Sequence, residues 1–166
     1  MLKTEAQRIV SVGLGEIHTG AGAGVVLMAL GLGSCIGVAV FDPQARVGGM
    51  AHVVLPEPLD AAAPASAKFA TVAVPELLAR VEGLGADRRR LVCKIAGGAQ
   101  VLQAAAVRHN FRIGERNLEA VTAALAAIGL RPSAQDCGGT TGRSFQLAIE
   151  SGRMAVKRLG RDWEPL

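Results

Sequence analysis

The chain contains no tyrosine, one tryptophan and four phenylalanines, so aromatic side chains make up only 3% of its 166 residues. Single-stranded nucleic-acid binders stack bases on aromatic platforms, and there is little here to build one. Charge is sparse as well, with 18 basic and 14 acidic side chains for a net of +4. The basic residues are dispersed apart from Arg88-Arg89-Arg90, which reads as a solvated basic turn. Nucleic-acid binding is therefore not expected. Cysteine is limited to Cys35, Cys93 and Cys137, an odd set without a close pair. That argues against a secreted disulfide scaffold and for a reducing cytoplasm. No C-x-x-C or H-x-x-x-H spacing occurs, which leaves zinc only a site assembled from scattered residues. Gly13-Leu14-Gly15-Glu16 and the Gly20–Gly24 stretch match neither a dinucleotide fingerprint nor a P-loop, so no nucleotide cofactor is expected.

What the chain does have is glycine, 21 residues of it, within a composition that is half apolar. With few aromatics, the core must be built from Ala, Val, Leu and Ile. A single domain over 1–166 is expected, long enough to bury a real core, and the composition suits a layered α/β or α+β fold. The run Thr19–Phe41 is twenty-three residues without a formal charge, long enough to cross a bilayer. Six glycines interrupt it, and Gly15-Glu16-Ile17-His18 ahead of it offers no basic anchor. It reads as core strands, so membrane insertion is not expected. Lys3, Glu5 and Glu16 make the N-terminal stretch a poor signal peptide.

The spacing predicts strands over Val25–Leu30, Cys35–Phe41 and Val47–Leu55, after an opening strand with turns that runs through Gly24. Asp42-Pro43-Gln44-Ala45 is a turn by its chemistry. A helix is expected over Lys68–Glu82, with Phe69, Val72 and Ala73 on one face and Pro75 kinking it or starting a second helix. A buried strand follows at Leu91–Ala96. Leu118, Val121, Leu125 and Ile128 repeat at helical spacing over Asn117–Ile128, with Gly129 as the stop. Three further strands are expected near Arg131–Asp136, Ser144–Glu150 and Arg153–Arg158, the last two joined through a Glu150-Ser151-Gly152 turn.

One constellation carries chemistry. Cys35 lies in Leu30-Gly31-Leu32-Gly33-Ser34-Cys35-Ile36-Gly37, and His52 follows in Gly48-Gly49-Met50-Ala51-His52-Val53. Glycines around a thiol allow close approach of a carbonyl and unusual backbone angles. A histidine on the next strand can take the thiol's proton and return it to a leaving group. If the hairpin is centred between Pro43 and Gln44, positions 35 and 52 face each other directly. Backbone N–H groups of Gly33, Ser34 and Ile36 are candidates to stabilise an oxyanion. The pair points to a thiol hydrolase or amidohydrolase needing no metal or organic cofactor; the competing reading is a cysteine that merely packs in the core. Packing is the expectation for Cys93. Cys137 precedes Gly138-Gly139-Thr140-Thr141-Gly142-Arg143, a glycine turn that could also offer N–H groups to an anion. His18 and His109 have no comparable context, and His109 is expected in an exposed turn.

Several blocks together resemble the CheD family, the chemoreceptor glutamine deamidases of bacterial chemotaxis. They are Leu30–Gly37, Gly48–Pro56, Lys68-Phe69-Ala70 with Ala73-Val74-Pro75, Lys94–Ala99, Ile113–Asn117 and Gly138–Arg143. The resemblance covers most of Val25–Lys157. It implies an α+β fold of packed mixed or antiparallel β-sheets with flanking helices, similar to the catalytic domain of the cytotoxic necrotising factor toxins. It also implies a cytoplasmic enzyme that converts chemoreceptor glutamines to glutamates, with Cys35 as nucleophile and His52 as general base. Chemoreceptors are the implied substrates, and the phosphatase CheC is an implied partner over the active-site face. The family commonly places a threonine six residues before the nucleophile to complete a triad, and that position here is Ala29. Two alternatives stand beside this reading: a weakly active or non-catalytic adaptor on the same scaffold, or a glutamyl methylesterase or amidase acting on another protein.

Overall fold

The computed structural model describes residues 7–101 and 112–166; His109 lies outside them. Ten strands form two mixed five-stranded sheets. β1 (Arg8–Ser11), β3 (Val25–Leu32), β8 (Arg143–Ala148), β9 (Arg153–Arg158) and β10 (Glu164–Pro165) make one sheet, in that spatial order. β2 (Ile17–Ala21), β5 (Val47–Val53), β4 (Ile36–Asp42), β6 (Val92–Gly97) and β7 (Ala134–Cys137) make the other. β1 runs parallel to β3 and β6 to β7, and the remaining pairs are antiparallel. The fold is α+β, as expected.

Side-chain alternation along β4 and β5 explains the layering. Both strands are buried at every position, so each of their faces must meet an apolar partner. Ala39, Phe41 and Met50 point into a core shared with Leu27, Phe145 and Leu147 of the other sheet. Val38, Val40 and Ala51 point the opposite way, against α1 (Ala70–Gly83) and α2 (Ile113–Ala127). The two glycines at the start of β5 divide this labour. A Cβ on Gly48 would press on Ile149 and Leu147 between the sheets, whereas one on Gly49 would stand 2.7 Å from Leu77 and 3.0 Å from Val81 of α1.

Several elements depart from the sequence expectation. α1 is one continuous helix with Pro75 inside it, so no second helix starts there. The ring lies on the exposed side, while Ala70, Ala73, Val74, Leu77, Leu78 and Val81 are buried. Burying that face outweighs one lost backbone hydrogen bond. α2 starts four residues earlier than its apolar repeat, at Ile113. The opening segment is two strands in different sheets, and β10 carries no alternation that could have announced it.

Arg88-Arg89-Arg90 is a turn of 3-10 helix whose arginines are paired rather than merely solvated. Arg90 reaches Asp42, which is fully buried and also accepts the N–H groups of Gln44, Ala45 and Asp87. The Arg90 guanidinium, with these N–H donors, holds the Asp42 carboxyl well below the usual range. This ties the β4–β5 turn to the 3-10 turn that follows α1.

Replacing Gly49 by Val should overpack the α1 contact and lower stability by about 1–3 kcal/mol. Gly83, at the end of α1, has open space and an ordinary φ. Gly83→Ala should be neutral or stabilising by up to about 1 kcal/mol. Thermal unfolding of both variants checks the pair.

Candidate active site

The chain passes from one sheet to the other through Gly33-Ser34-Cys35, between the end of β3 and the start of β4. A crossover of this kind lies outside both ladders, so its backbone groups need other partners. Its carbonyls all have them. The Ala99 N–H donates to the Gly33 carbonyl at 2.7 Å and the Gly98 N–H to that of Cys35 at 2.8 Å. The Asn117 side-chain amide donates to that of Ser34 at 2.9 Å. The approach is so close that a Cβ on Gly97 would sit 2.1 Å from the Cys35 oxygen, at a φ of +122° that favours glycine. Among the described residues, no backbone acceptor takes the N–H of Ser34 or Cys35. Ile36 differs, because it is paired with Val53 on one side and Gly97 on the other. Its N–H lies in the plane of the sheet, facing a neighbouring strand.

The β4–β5 register places the two chemical residues. Gly37 is opposite His52 and Ile36 opposite Val53. Continued one step back, Cys35 falls opposite Val54, two positions along from His52 and on the same face. This register excludes the direct pair that a turn centred between Pro43 and Gln44 predicts; in a regular ladder the two would be diagonal, roughly 7–8 Å between Cα atoms. The reason is the turn: Asp42 pairs with Val47 and encloses four residues, ending in Arg46 at φ +53°. Asp42 Oδ1, accepting from Gln44 and Ala45, stabilises that longer loop. Glycine opposite the imidazole leaves its face to Phe145 and Leu32, which a Cβ at Gly37 would meet at 3.0 and 3.2 Å.

His52 is 3% exposed. Its Nδ1 lies 2.9 Å from the Val12 carbonyl oxygen. A carbonyl only accepts, so Nδ1 carries the proton and Nε2 is left basic. That Nε2 is buried and without a hydrogen-bond partner among the described residues. Thiol and imidazole are therefore not hydrogen-bonded in the resting state. Ala29 is fully buried in the inter-sheet core, opposite Phe145 of β8, and has no polar atom to offer. The orienting contact comes instead from the Val12–Glu16 loop, which also exchanges backbone hydrogen bonds with His52 through Gly15 and Glu16. Glu16 steadies the loop by accepting from the Gly13 N–H at 2.8 Å and contacting His18 Nε2 at 3.0 Å. The Gly13 bond, then the His18 contact, hold the Glu16 carboxyl below its usual range. His18, which no sequence motif marks, thus has a place at the edge of the site.

Cys35 is half-buried, and burial pushes its thiol up from an ordinary value near 9. The same cause drives Cys93, fully packed in the core, to about 12 and Cys137 to about 11. Cys35 and Cys137 lie in different layers, the first beside the inter-sheet core and the second beside the helices. Arg143, 5% exposed, braces the Gly138–Gly142 loop by donating to the carbonyls of Gly138 and Thr141 and to Asp136. The loop in turn supports the site, since Gly138 N–H donates to Gly97 and Gly139 accepts from Gln100. Among the described residues no group of three His, Cys, Asp or Glu could hold a metal ion. No helix there is long and apolar enough to cross a membrane.

A half-buried thiol, a tautomer-fixed imidazole and unused N–H groups on one crossover are parts suited to acyl transfer. The CheD family model (CheD chemotactic sensory transduction) matches residues 54–158. That match begins after both Cys35 and His52, but the pairwise relatives span them. A protein of Symbiobacterium thermophilum named probable chemoreceptor glutamine deamidase CheD is 45% identical over 93% of this chain and 95% of its own length. A protein of the same name from Archaeoglobus fulgidus is 44% identical over 92% and 96%. The chemoreceptor glutamine deamidase CheD of Thermotoga maritima is 39% identical over 90% and 91%. With this coverage at such identity, the chain belongs to the CheD family.

Proposed function

We propose that the protein deamidates glutamine side chains of chemoreceptors, with Cys35 as nucleophile and His52 as general base and acid. The observation that carries the reading is the buried Nε2 of His52, without a partner among the described residues and with its tautomer set by Val12, in a site whose Cys35 packs against the same inter-sheet core. Nε2 takes the proton from Sγ as sulfur bonds to the amide carbon of the substrate. The carbonyl oxygen becomes an oxyanion, and the unused N–H groups of Ser34 and Cys35 are the nearest donors to it; such donors contribute about 2.7–4 kcal/mol each. The C–N bond breaks, His52 returns the proton, and ammonia leaves. Water attacks the thioester with His52 taking its proton, the C–S bond breaks to release the glutamate side chain, and His52 returns its proton to the departing sulfur. Every proton and bond is balanced without a metal or an organic cofactor.

Three features support a protein as substrate. Leu14, Leu30 and Val101 are 64%, 57% and 52% exposed on the segments that surround the crossover. Val101 lies against Gly33, and the Leu14 loop is bonded to His52. The family's CheC phosphatase would compete for this same face. Ala29 removes the family's threonine, and the Val12 carbonyl performs the orienting task in its place.

Incubation with receptor methylation-helix peptides, followed by mass spectrometry, should show glutamine converted to glutamate by wild type and not by Cys35→Ala. Equal conversion by both proteins overturns the proposal. His52→Ala should lose about 10²–10⁴-fold in rate, the usual worth of a positioned base.

The sign of the Cys35 shift gives a second expectation. Burial disfavours the thiolate, so at neutral pH its fraction is below that of a free cysteine, and it grows as pH rises. Iodoacetamide alkylation of Cys35 in the free enzyme should keep accelerating beyond the pH at which small thiols level off. A plateau at or below that pH would show a thiolate already stabilised at rest.

A further inference from the structure

Asn117 is one of four buried polar or charged residues among the described ones, and the mechanism above makes no use of it. It sits near the start of α2 with 0% exposure. Its Nδ2 donates to the Ser34 carbonyl and to the Val54 carbonyl, each at 2.9 Å. Among the described residues, its Oδ1 is buried without a partner. An amide that leaves its own acceptor unsatisfied at a cost of about 1–3 kcal/mol is placed for what its donors do. Those donors join the two arms of the site: one carbonyl belongs to the residue before the nucleophile, the other to the second residue after His52.

The Ser34 carbonyl and the Cys35 N–H belong to one peptide unit, and the chain has no cis bonds among its described residues. In a planar trans peptide the two groups point in opposite directions. Holding the carbonyl toward α2 therefore directs the N–H away from it. Among the described residues no backbone acceptor takes that N–H, which leaves it free for an oxyanion. Ala99 and Gly98 fix the carbonyls on either side, leaving the central peptide to Asn117 alone.

We propose that Asn117 is a positioning residue, which aims the Cys35 N–H at the oxyanion and ties the crossover to the chain just beyond the His52 strand. The proposal rests on the deamidase reading. Asn117→Ala should lower kcat about tenfold to a hundredfold, the scale expected for a small misplacement of reacting groups, with KM little changed. Asn117→Ser, keeping one donor, should fall between it and wild type. In peptide-resolved iodoacetamide labelling, Cys35 should react severalfold faster in Asn117→Ala as the crossover loosens, while Cys93 and Cys137 keep their wild-type rates. Faster thiol labelling together with slower turnover is a signature that general destabilisation does not produce.

Wild-type kcat in either variant overturns the proposal, as does parallel acceleration at all three cysteines. Failure of both variants to fold also overturns it, by making the role structural. If wild type deamidates no receptor peptide, the deamidase reading fails separately, and the labelling contrast still decides whether Asn117 holds the crossover.

Discussion

The structure depends on one backbone constraint: the chain must leave one sheet and enter the other at Gly33-Ser34-Cys35 without stranding buried carbonyls. Each of the three carbonyls is met, by Ala99, Asn117 and Gly98 in turn. Because acceptors are satisfied from one side, the N–H groups of Ser34 and Cys35 are turned out of that network. Gly97 permits the contact, since any side chain there would collide with the Cys35 carbonyl. The crossover thus leaves a thiol flanked by unused donors, an arrangement suited to an oxyanion site.

The imidazole is held by the same logic. With alanine at position 29, no hydroxyl from that residue reaches His52, and a main-chain carbonyl from the Val12–Glu16 loop fixes its tautomer instead. A carbonyl locked by the neighbouring strand (Val12 N–H donates to Met28 at 2.8 Å) has no rotamer to lose. Farther out, Arg143 and Asp136 brace the Gly138–Gly142 loop, and that loop braces Gly97 and Gln100. Support for the site therefore runs through backbone contacts more than through side-chain charge.

Much of this is legible in the chain. Apolar alternation and helical spacing mark β3 to β6, α2 and the last pair of long strands, because each has one or two faces to bury. The Pro75 helix is harder to read, since a local helix breaker is overruled only by packing that a short window of sequence does not contain. β10 and the division of the opening segment between two sheets leave no pattern, being decided by which edge is available. Cys35 and His52 stand out by residue type and glycine context. Val12 and Asn117 do not. Val12 acts through a carbonyl that every residue has, and Asn117 is, by sequence, one polar position among several on an amphipathic helix.

By itself, then, the sequence determined the family, the α+β class and the two residues whose chemistry is unusual, because those depend on side-chain identity and local periodicity. Only the tertiary structure decided the register that takes His52 out of direct opposition to Cys35, since the four-residue turn ending in Arg46 shifts every pair on the hairpin. It alone decided what orients the imidazole and what aims the Cys35 amide, because those contacts join segments 40 and 83 residues apart.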